Sequence, residues 1–237
     1  MTQYIHQDPY GAIDSLETVR EILDRPLRFL LGIRDTNRKN ELLSEALISS
    51  GLNEEYLDKK GNDLSGGEKQ RILIARAFIV KPKYVVVDEP TTMIDFIHRD
   101  EIIDTLRNEG NQYGATLMLI THDIMVVPKI AQKVAVLYRG KIIEIGGTRE
   151  ILKNPLHPYT TFLASIKPEK LMGNAKLMDI LENYGKNKQS MVVSDKGCAY
   201  ASMCPLADNN CRTNDPPTIE AVSNHYVKCF KPGEFQL

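Results

Sequence analysis

The sequence predicts an α/β fold: parallel strands separated by helices, followed by a small module that holds all the cysteines. Three observations carry this expectation. Tyr84-Val-Val-Val-Asp88 and Thr116-Leu-Met-Leu-Ile-Thr121 are short continuous apolar runs, the pattern of strands covered on both faces of a parallel sheet. Segments with helical spacing precede and separate them. Cys198, Cys204, Cys211 and Cys229 all fall within the last 40 of 237 residues. An apolar content of 42% is enough to bury a core, which excludes a disordered tail or a fibre. Basic and acidic residues balance at 30 against 31 for a net charge of −1, so nothing global favours nucleic acid or an acidic membrane. No nucleic-acid partner is expected. The chain has no apolar run of about 18 residues, and Met1 leads into Thr-Gln-Tyr-Ile-His-Gln, so the expected location is the cytosol. Cysteines clustered in a reducing compartment argue for metal before disulfides.

The elements follow in order. Glu41 to Ser50 carries apolar side chains at helical spacing and stops at Gly51, suited to the left-handed residue after a helix. A polar loop, 58 to 63, comes next. Ser65 and Glu68 have the Ser-x-x-Glu spacing of a capping box, which starts a second helix expected to reach about Lys81, since Pro82 disfavours helix before it. The strand 84 to 88, a helix near 96 to 110 and the strand 116 to 121 then alternate. Two β-rich runs between 134 and 145 flank Arg139-Gly140-Lys141 and suggest a hairpin. Residues 167 to 197 read as a polar connector with one helix, roughly 174 to 184. The expected division is therefore 1–166 and 167–237.

Polar residues where parallel strands end build the sites of α/β sheets, and Asp88, Glu89 and His122 stand at such ends. An acidic pair after an apolar strand suits nucleotide hydrolysis: one carboxylate holds Mg²⁺ or its water, and the next orients or deprotonates the attacking water. Alone, the same residues read as a strand followed by a solvated acidic turn. In Leu64-Ser-Gly-Gly-Glu68, two glycines at a helix start let a phosphate approach backbone N–H groups and the positive end of the helix dipole. Alone, that segment is a capped helix. The cysteines are separated by five, six and seventeen residues, without the tight Cys-x-x-Cys of zinc ribbons. Zn²⁺, an iron–sulfur cluster and four buried thiols all remain open on spacing.

The whole octapeptide Leu64-Ser-Gly-Gly-Glu-Lys-Gln-Arg71, followed by Ala75-Arg-Ala77 and the Asp-Glu strand, resembles the nucleotide-binding subunit of ATP-binding cassette (ABC) transporters. In that family's terms, Ser65, Gly66, Gly67 and Glu68 resemble the signature motif that contacts ATP. Asp88 and Glu89 resemble the Walker B aspartate and the catalytic glutamate, and Ile120-Thr-His-Asp123 resembles the switch segment with His122. Ile5-His-Gln-Asp-Pro-Tyr10 is similar to the Q-loop, with Gln7 touching Mg²⁺ and sensing the membrane subunit. Asp95 is retained in Thr92-Met-Ile-Asp95, where Met93 is bulkier than the small residue usual at this contact with the opposite subunit. Asn154-Pro-Leu-His-Pro-Tyr-Thr160 and the cysteine tail are similar to the oligopeptide and dipeptide importer branch, so the resemblance spans essentially the whole chain. His157 fixes a turn between prolines; His6 and His98 have no named partner, and His225 is a substitute ligand at most.

The resemblance implies a P-loop NTPase core with a helical signature subdomain and an ABC-type ATPase activity that energises peptide import. Its cofactors would be ATP and Mg²⁺, with Cys198, Cys204, Cys211 and Cys229 binding a four-iron four-sulfur cluster, or Zn²⁺ as the alternative. Its partners would be a second ATPase subunit, two transmembrane permeases and, indirectly, an extracytoplasmic peptide-binding protein, with the chain peripheral on the inner face of the membrane. The rival reading is a noncatalytic scaffold or an iron–sulfur redox module. The 237 residues contain no Gly-x-x-x-x-Gly-Lys-[Ser/Thr], the loop that cradles phosphates, so a cassette truncated before its Walker A portion is expected. Losing several charge-assisted hydrogen bonds of about 1.5–3 kcal/mol each would weaken nucleotide binding at least roughly a thousandfold. In the fold that the resemblance implies, the missing phosphate-loop strand lies beside residues 84 to 88, which should therefore expose one unpaired edge.

Overall fold

A computed structural model describes residues 1–166 and 196–236 in two units, Met1–Ile130 and Ala131–Leu237. The helix expected near 174 to 184 lies outside the described residues.

In the first unit, β1 (Thr2–Ile5), β2 (Tyr84–Asp88) and β3 (Thr116–Ile120) form a parallel sheet in the order β1-β2-β3. The expected exposed edge at residues 84 to 88 is corrected here, because β1 and β3 pair with β2 on its two sides. Among the described residues the free edges belong to β1 and β3. Val85 and Val87 of β2 are fully buried, whereas Tyr84, Val86 and Asp88 are half-buried. In β3, Leu117 and Leu119 pack on the core while Met118 and Ile120 are exposed, so burial on both faces is also corrected for that strand.

The helices follow local signals. Between β1 and β2 run the short α1 (Pro9–Ala12), then α2 (Val19–Phe29), α3 (Thr36–Ser49) and α4 (Gly66–Phe78). Thr18 and Glu21 form a capping box at the start of α2. Pro26 lies inside that helix, buried with the neighbouring Leu23 and Leu27, and has no N–H to offer the preceding turn. Helix α3 begins where Asp35 caps Arg38 N, and the left-handed Gly51 (φ +79°) lets the chain turn away after it. A 3₁₀ turn, Glu54–Asp58, precedes the expected polar loop at 58 to 63, and a second, Gly61–Asp63, lies within it. Helix α4 ends at Phe78, three residues short of the expected limit, and α5 (Phe96–Tyr113) runs three residues beyond its own. Leu23, Leu43, Leu47, Ile72, Val85 and Ile103 belong to one continuous core under these helices and the sheet. The short α6 (Val127–Ile130) closes the unit.

The second unit is an antiparallel sheet in the order β4-β5-β7-β6, from β4 (Lys133–Tyr138), β5 (Lys141–Gly147), β6 (Thr218–Val222) and β7 (His225–Lys228). The expected hairpin joins β4 to β5 through Arg139 and Gly140, both at positive φ, as the two-residue turn between twisted strands requires. Because β5 also pairs with β7, the hairpin belongs with the cysteine-bearing residues rather than with the parallel sheet. Helices α7 (Thr148–Lys153), α8 (Pro158–Ser165) and α9 (Asn209–Thr213) complete its described residues. The Glu144 carboxylate, 1% exposed, accepts hydrogen bonds from Leu156 N, His157 N and His225 Nε2. It therefore ties β5 to β7 and to the start of α8. Among the described residues no helix is long and apolar enough to cross a membrane.

Candidate nucleotide site

Ser65 caps α4 as its spacing requires. Its hydroxyl accepts from Glu68 N at 3.3 Å, and Glu68 Oε2 accepts from Ser65 N at 2.7 Å. Burial pushes the Glu68 carboxyl up, but hydrogen bonds from Tyr56 Oη and Ser65 hold it below its ordinary value overall. It remains a carboxylate at neutral pH. The two glycines differ in what surrounds them. A Cβ on Gly66 would stand 2.9 Å from Tyr10 Oη and 3.2 Å from the Met93 carbonyl oxygen, whereas Gly67 faces open space. Gly66 is thus required by close packing, and Gly67 leaves the first turn of α4 approachable. Tyr10 also lies under the Lys69 ammonium, 4.9 Å from the ring centroid. The segment after Gln7 and the start of α4 are consequently in direct contact.

At the sheet's C-terminal end, Glu89 N donates to Ile120 O at 2.9 Å, and the residue then turns with φ +44°. Its Oε1 accepts from His122 N at 2.9 Å and lies 2.7 Å from His122 Nδ1, while Oε2 accepts from Thr92 Oγ1 at 3.0 Å. An ionised carboxylate only accepts, so Nδ1 carries the proton in this contact, and Nε2 has no partner among the described residues. Asp88 is engaged separately: its Oδ2 accepts from Tyr4 Oη at 2.6 Å. That bond raises the Tyr4 phenol above its ordinary value. Gln7 is exposed two residues beyond β1, at the end of the sheet where Asp88 and Glu89 stand. Asp95 is exposed at the N-cap of α5 without capping it through its side chain. The structure thus joins Glu89 to His122 and leaves Asp88, Gln7 and Asp95 outside that contact. Sequence reasoning missed Tyr4, Tyr10 and Thr92; only strand register and loop closure place them.

Carboxylate and amide oxygens are the donors a hard divalent cation takes, so Asp88 and Gln7 fit Mg²⁺ in kind. The cysteines divide differently. Burial pushes the Cys198 and Cys204 thiols up, and that of Cys229 to about 11, and each of the three also senses charge on neighbouring cysteines. Cys198 N donates to Cys211 O at 2.8 Å. Nevertheless no group of three or more His, Cys, Asp or Glu among the described residues is arranged to hold a metal ion. The thiols fit an iron–sulfur cluster or zinc in chemistry and neighbourhood, not in placement.

Comparison with known proteins defines the class and then the branch. Among solved structures, the fold is similar to a dimeric ATP-binding cassette, MJ0796, in a post-hydrolysis state with ADP and phosphate. The TM-score is 0.56 at 28% identity, covering 62% of this chain and 63% of that one. It is also similar to CbiO1 of Clostridium perfringens, part of an ABC transporter complex, with TM-score 0.57 at 28% identity over 63% of this chain and 58% of that one. The ABC transporter family matches residues 2–92, and the family described as the oligopeptide/dipeptide transporter C-terminal region matches residues 143–211. Curated relatives include the oligopeptide transport ATP-binding protein AppF of Bacillus subtilis, 31% identical over 228 residues, 96% of this chain and 68% of the relative. OppF of Escherichia coli is 32% identical over 231 residues, covering 97% and 68% of the two chains. The dipeptide transport protein DppF of Haemophilus influenzae is 32% identical over 228 residues, 96% of this chain and 68% of that relative. The chain belongs to the ABC transporter ATP-binding proteins, in their oligopeptide/dipeptide branch.

Proposed function

We propose that this chain is the ATP-binding and ATP-hydrolysing subunit of an oligopeptide or dipeptide importer, paired with a second cassette and docked on permeases at the cytoplasmic face of the membrane. The carrying observation is the contact between Glu89 and His122, 33 residues apart in sequence and 2.7 Å apart at the ends of neighbouring parallel strands. Membership of the peptide-transport branch supports the cargo class.

The residues divide the chemistry. A carboxylate offers about four lone-pair positions, and three on Glu89 are occupied by His122 N, His122 Nδ1 and Thr92 Oγ1. One position on Oε2 remains to accept a proton from an attacking water, with the carboxylate held still meanwhile. His122 fixes that carboxylate and keeps Nε2 outward as an acceptor for a proton released at the phosphate. Asp88 and Gln7 would hold Mg²⁺, which when bound neutralises charge on the phosphates. Asp95 and the Ser65–Gly66–Gly67 turn complete the surface offered to the opposite cassette's nucleotide, and Glu68 keeps that turn in shape. The functional division we assign is a cassette over 1–166 and a four-cysteine extension over 167–237, with the peptide-branch match at 143–211 running across that boundary.

Since the 237 residues hold no Gly-x-x-x-x-Gly-Lys-[Ser/Thr], the phosphate cradle must come from outside them, and turnover by these residues alone is negligible. For the cysteines we propose a sulfur-ligated group, iron–sulfur ahead of zinc as the resemblance to the peptide-importer branch implies; iron, sulfide and zinc analysis of protein purified without oxygen checks it. The main test is ATP hydrolysis by the assembled transporter. Ser65→Arg should suppress turnover at the partner's nucleotide, and Glu89→Gln should lower the chain's own contribution by about a hundredfold or more. Unchanged turnover in both variants refutes the reading.

A further inference from the structure

Asp88 makes a hydrogen bond that catalysis as described above does not use. Tyr4 pairs with Val86 in the parallel register, and Ile5 with Val87. Side chains two apart share a face, so the Tyr4 ring lies on the same face as Val86 and Asp88 and reaches diagonally to Asp88. The phenol O–H donates to Oδ2 at 2.6 Å, the length of a charge-assisted O–H···O⁻ bond. The ring is itself steadied, because His6 packs against it edge-on with centroids 4.6 Å apart. The bond spans two strands, joining residues 84 apart in sequence.

An aspartate's terminal torsion is broad, so a lone carboxylate at a strand end turns freely. One bond to Oδ2 removes that freedom and decides which oxygen faces outward. Phenylalanine or methionine would fill the position on β1 equally well without doing so.

We propose that Tyr4 is a positioning residue for the divalent-cation site, holding Asp88 through Oδ2 so that Oδ1 faces the cation or its bound water. The inference rests on Asp88 being the cation's carboxylate, as proposed above. Partners behind a metal's ligand typically change metal affinity 10- to 100-fold when removed; for one bond on a half-exposed ring, about tenfold is expected.

The test uses the assembled transporter and binding of a fluorescent, non-hydrolysable ATP analogue titrated with Mg²⁺, so no turnover is needed. Tyr4→Phe and Tyr4→Met should each raise the half-saturating Mg²⁺ concentration about tenfold and leave analogue binding without divalent cation unchanged. Asp88→Asn should raise it at least as far, and adding Tyr4→Phe to Asp88→Asn should change nothing more. A Mg²⁺ midpoint unmoved by Tyr4→Phe while Asp88→Asn shifts it overturns the role of Tyr4. A shift in Tyr4→Met alone assigns the effect to packing and also overturns it. A midpoint unmoved by Asp88→Asn removes the assignment of Asp88 instead.

Discussion

Acidification should loosen the second unit through His157, and the size follows from its surroundings. The imidazole is 1% exposed, and burial lowers its pKa from an ordinary 6.5 to about 4. Its Nδ1 accepts from Tyr159 N at 3.0 Å, capping α8, so a proton placed there removes the cap's acceptor. Above about pH 6.5 the ring is neutral in both folded and unfolded chains and contributes no pH dependence. Between 6.5 and about 4 only the unfolded chain takes the proton, so stability falls as pH falls through that window. At about 1.4 kcal/mol per tenfold change in proton affinity, the full loss is about 3 kcal/mol once the pH is below the folded value. Against this, the Glu144 carboxylate accepts from His157 N at 2.8 Å and would favour a charged ring. Its charge is already shared among bonds from Leu156 N, His157 N and His225 Nε2, so burial governs. Hydrogen exchange of the β5 and β7 amides, corrected for intrinsic rates, measures the opening free energy from pH 7 to pH 4. His157→Asn keeps a capping acceptor but cannot titrate, and should flatten the profile. An equal loss in His157→Asn refutes the reasoning.

Other outcomes are expected in the first unit. Ser65→Ala should cost α4 about 1 kcal/mol by removing the acceptor for Glu68 N, read as a lower urea midpoint at unchanged slope. Gly66→Ala should displace Tyr10 or the loop at Met93, where the new Cβ would stand 2.9 Å from Tyr10 Oη, while Gly67→Ala enters open space and leaves the fold intact. Comparing their melting temperatures checks the asymmetry. Glu89→Gly should be more stable than Glu89→Ala by about 1 kcal/mol, since glycine takes φ +44° without strain, although both variants lose the base. Equal melting temperatures for those two would show that the backbone stores nothing there.

What could be read from the sequence was whatever completes its signal locally. Strand β2 matches its expected bounds because a continuous apolar run lies between Pro82 and Pro90. The start of α4 is contained in Ser65 and Glu68, and the β4–β5 hairpin in Arg139-Gly140. Four residues are too few for β1 to show a period, and its existence depends on pairing with residues more than 80 positions away. Helix α2 has the same box as α4, Thr18 with Glu21, but Pro26 reads as a breaker. Apolar composition in β3 did not reveal that Met118 and Ile120 face outward, since a run of apolar residues does not say what covers each face. In the site, Asp88, Glu89 and His122 were legible as residue types at strand ends, whereas Tyr4 on Asp88 and Tyr10 against Gly66 required the register.

The strain at Glu89 explains why two adjacent acids can take different work. Along a strand, neighbouring side chains point to opposite faces, which would carry the second carboxylate away from the first. Glu89 N still completes the ladder to Ile120, but the left-handed turn immediately afterwards swings its carboxylate onto the end of β3, where His122 N and Nδ1 receive it. Asp88 reaches the other way, to Tyr4 on β1. The central strand therefore anchors one acid to each neighbour, and its position between β1 and β3 is a condition for both anchors. A non-glycine residue at φ +44° costs about 1–3 kcal/mol, and three hydrogen bonds to one carboxylate are enough to offset it. Strain and anchoring are thus one arrangement: the bonds that immobilise the base are those that hold its backbone in the strained turn.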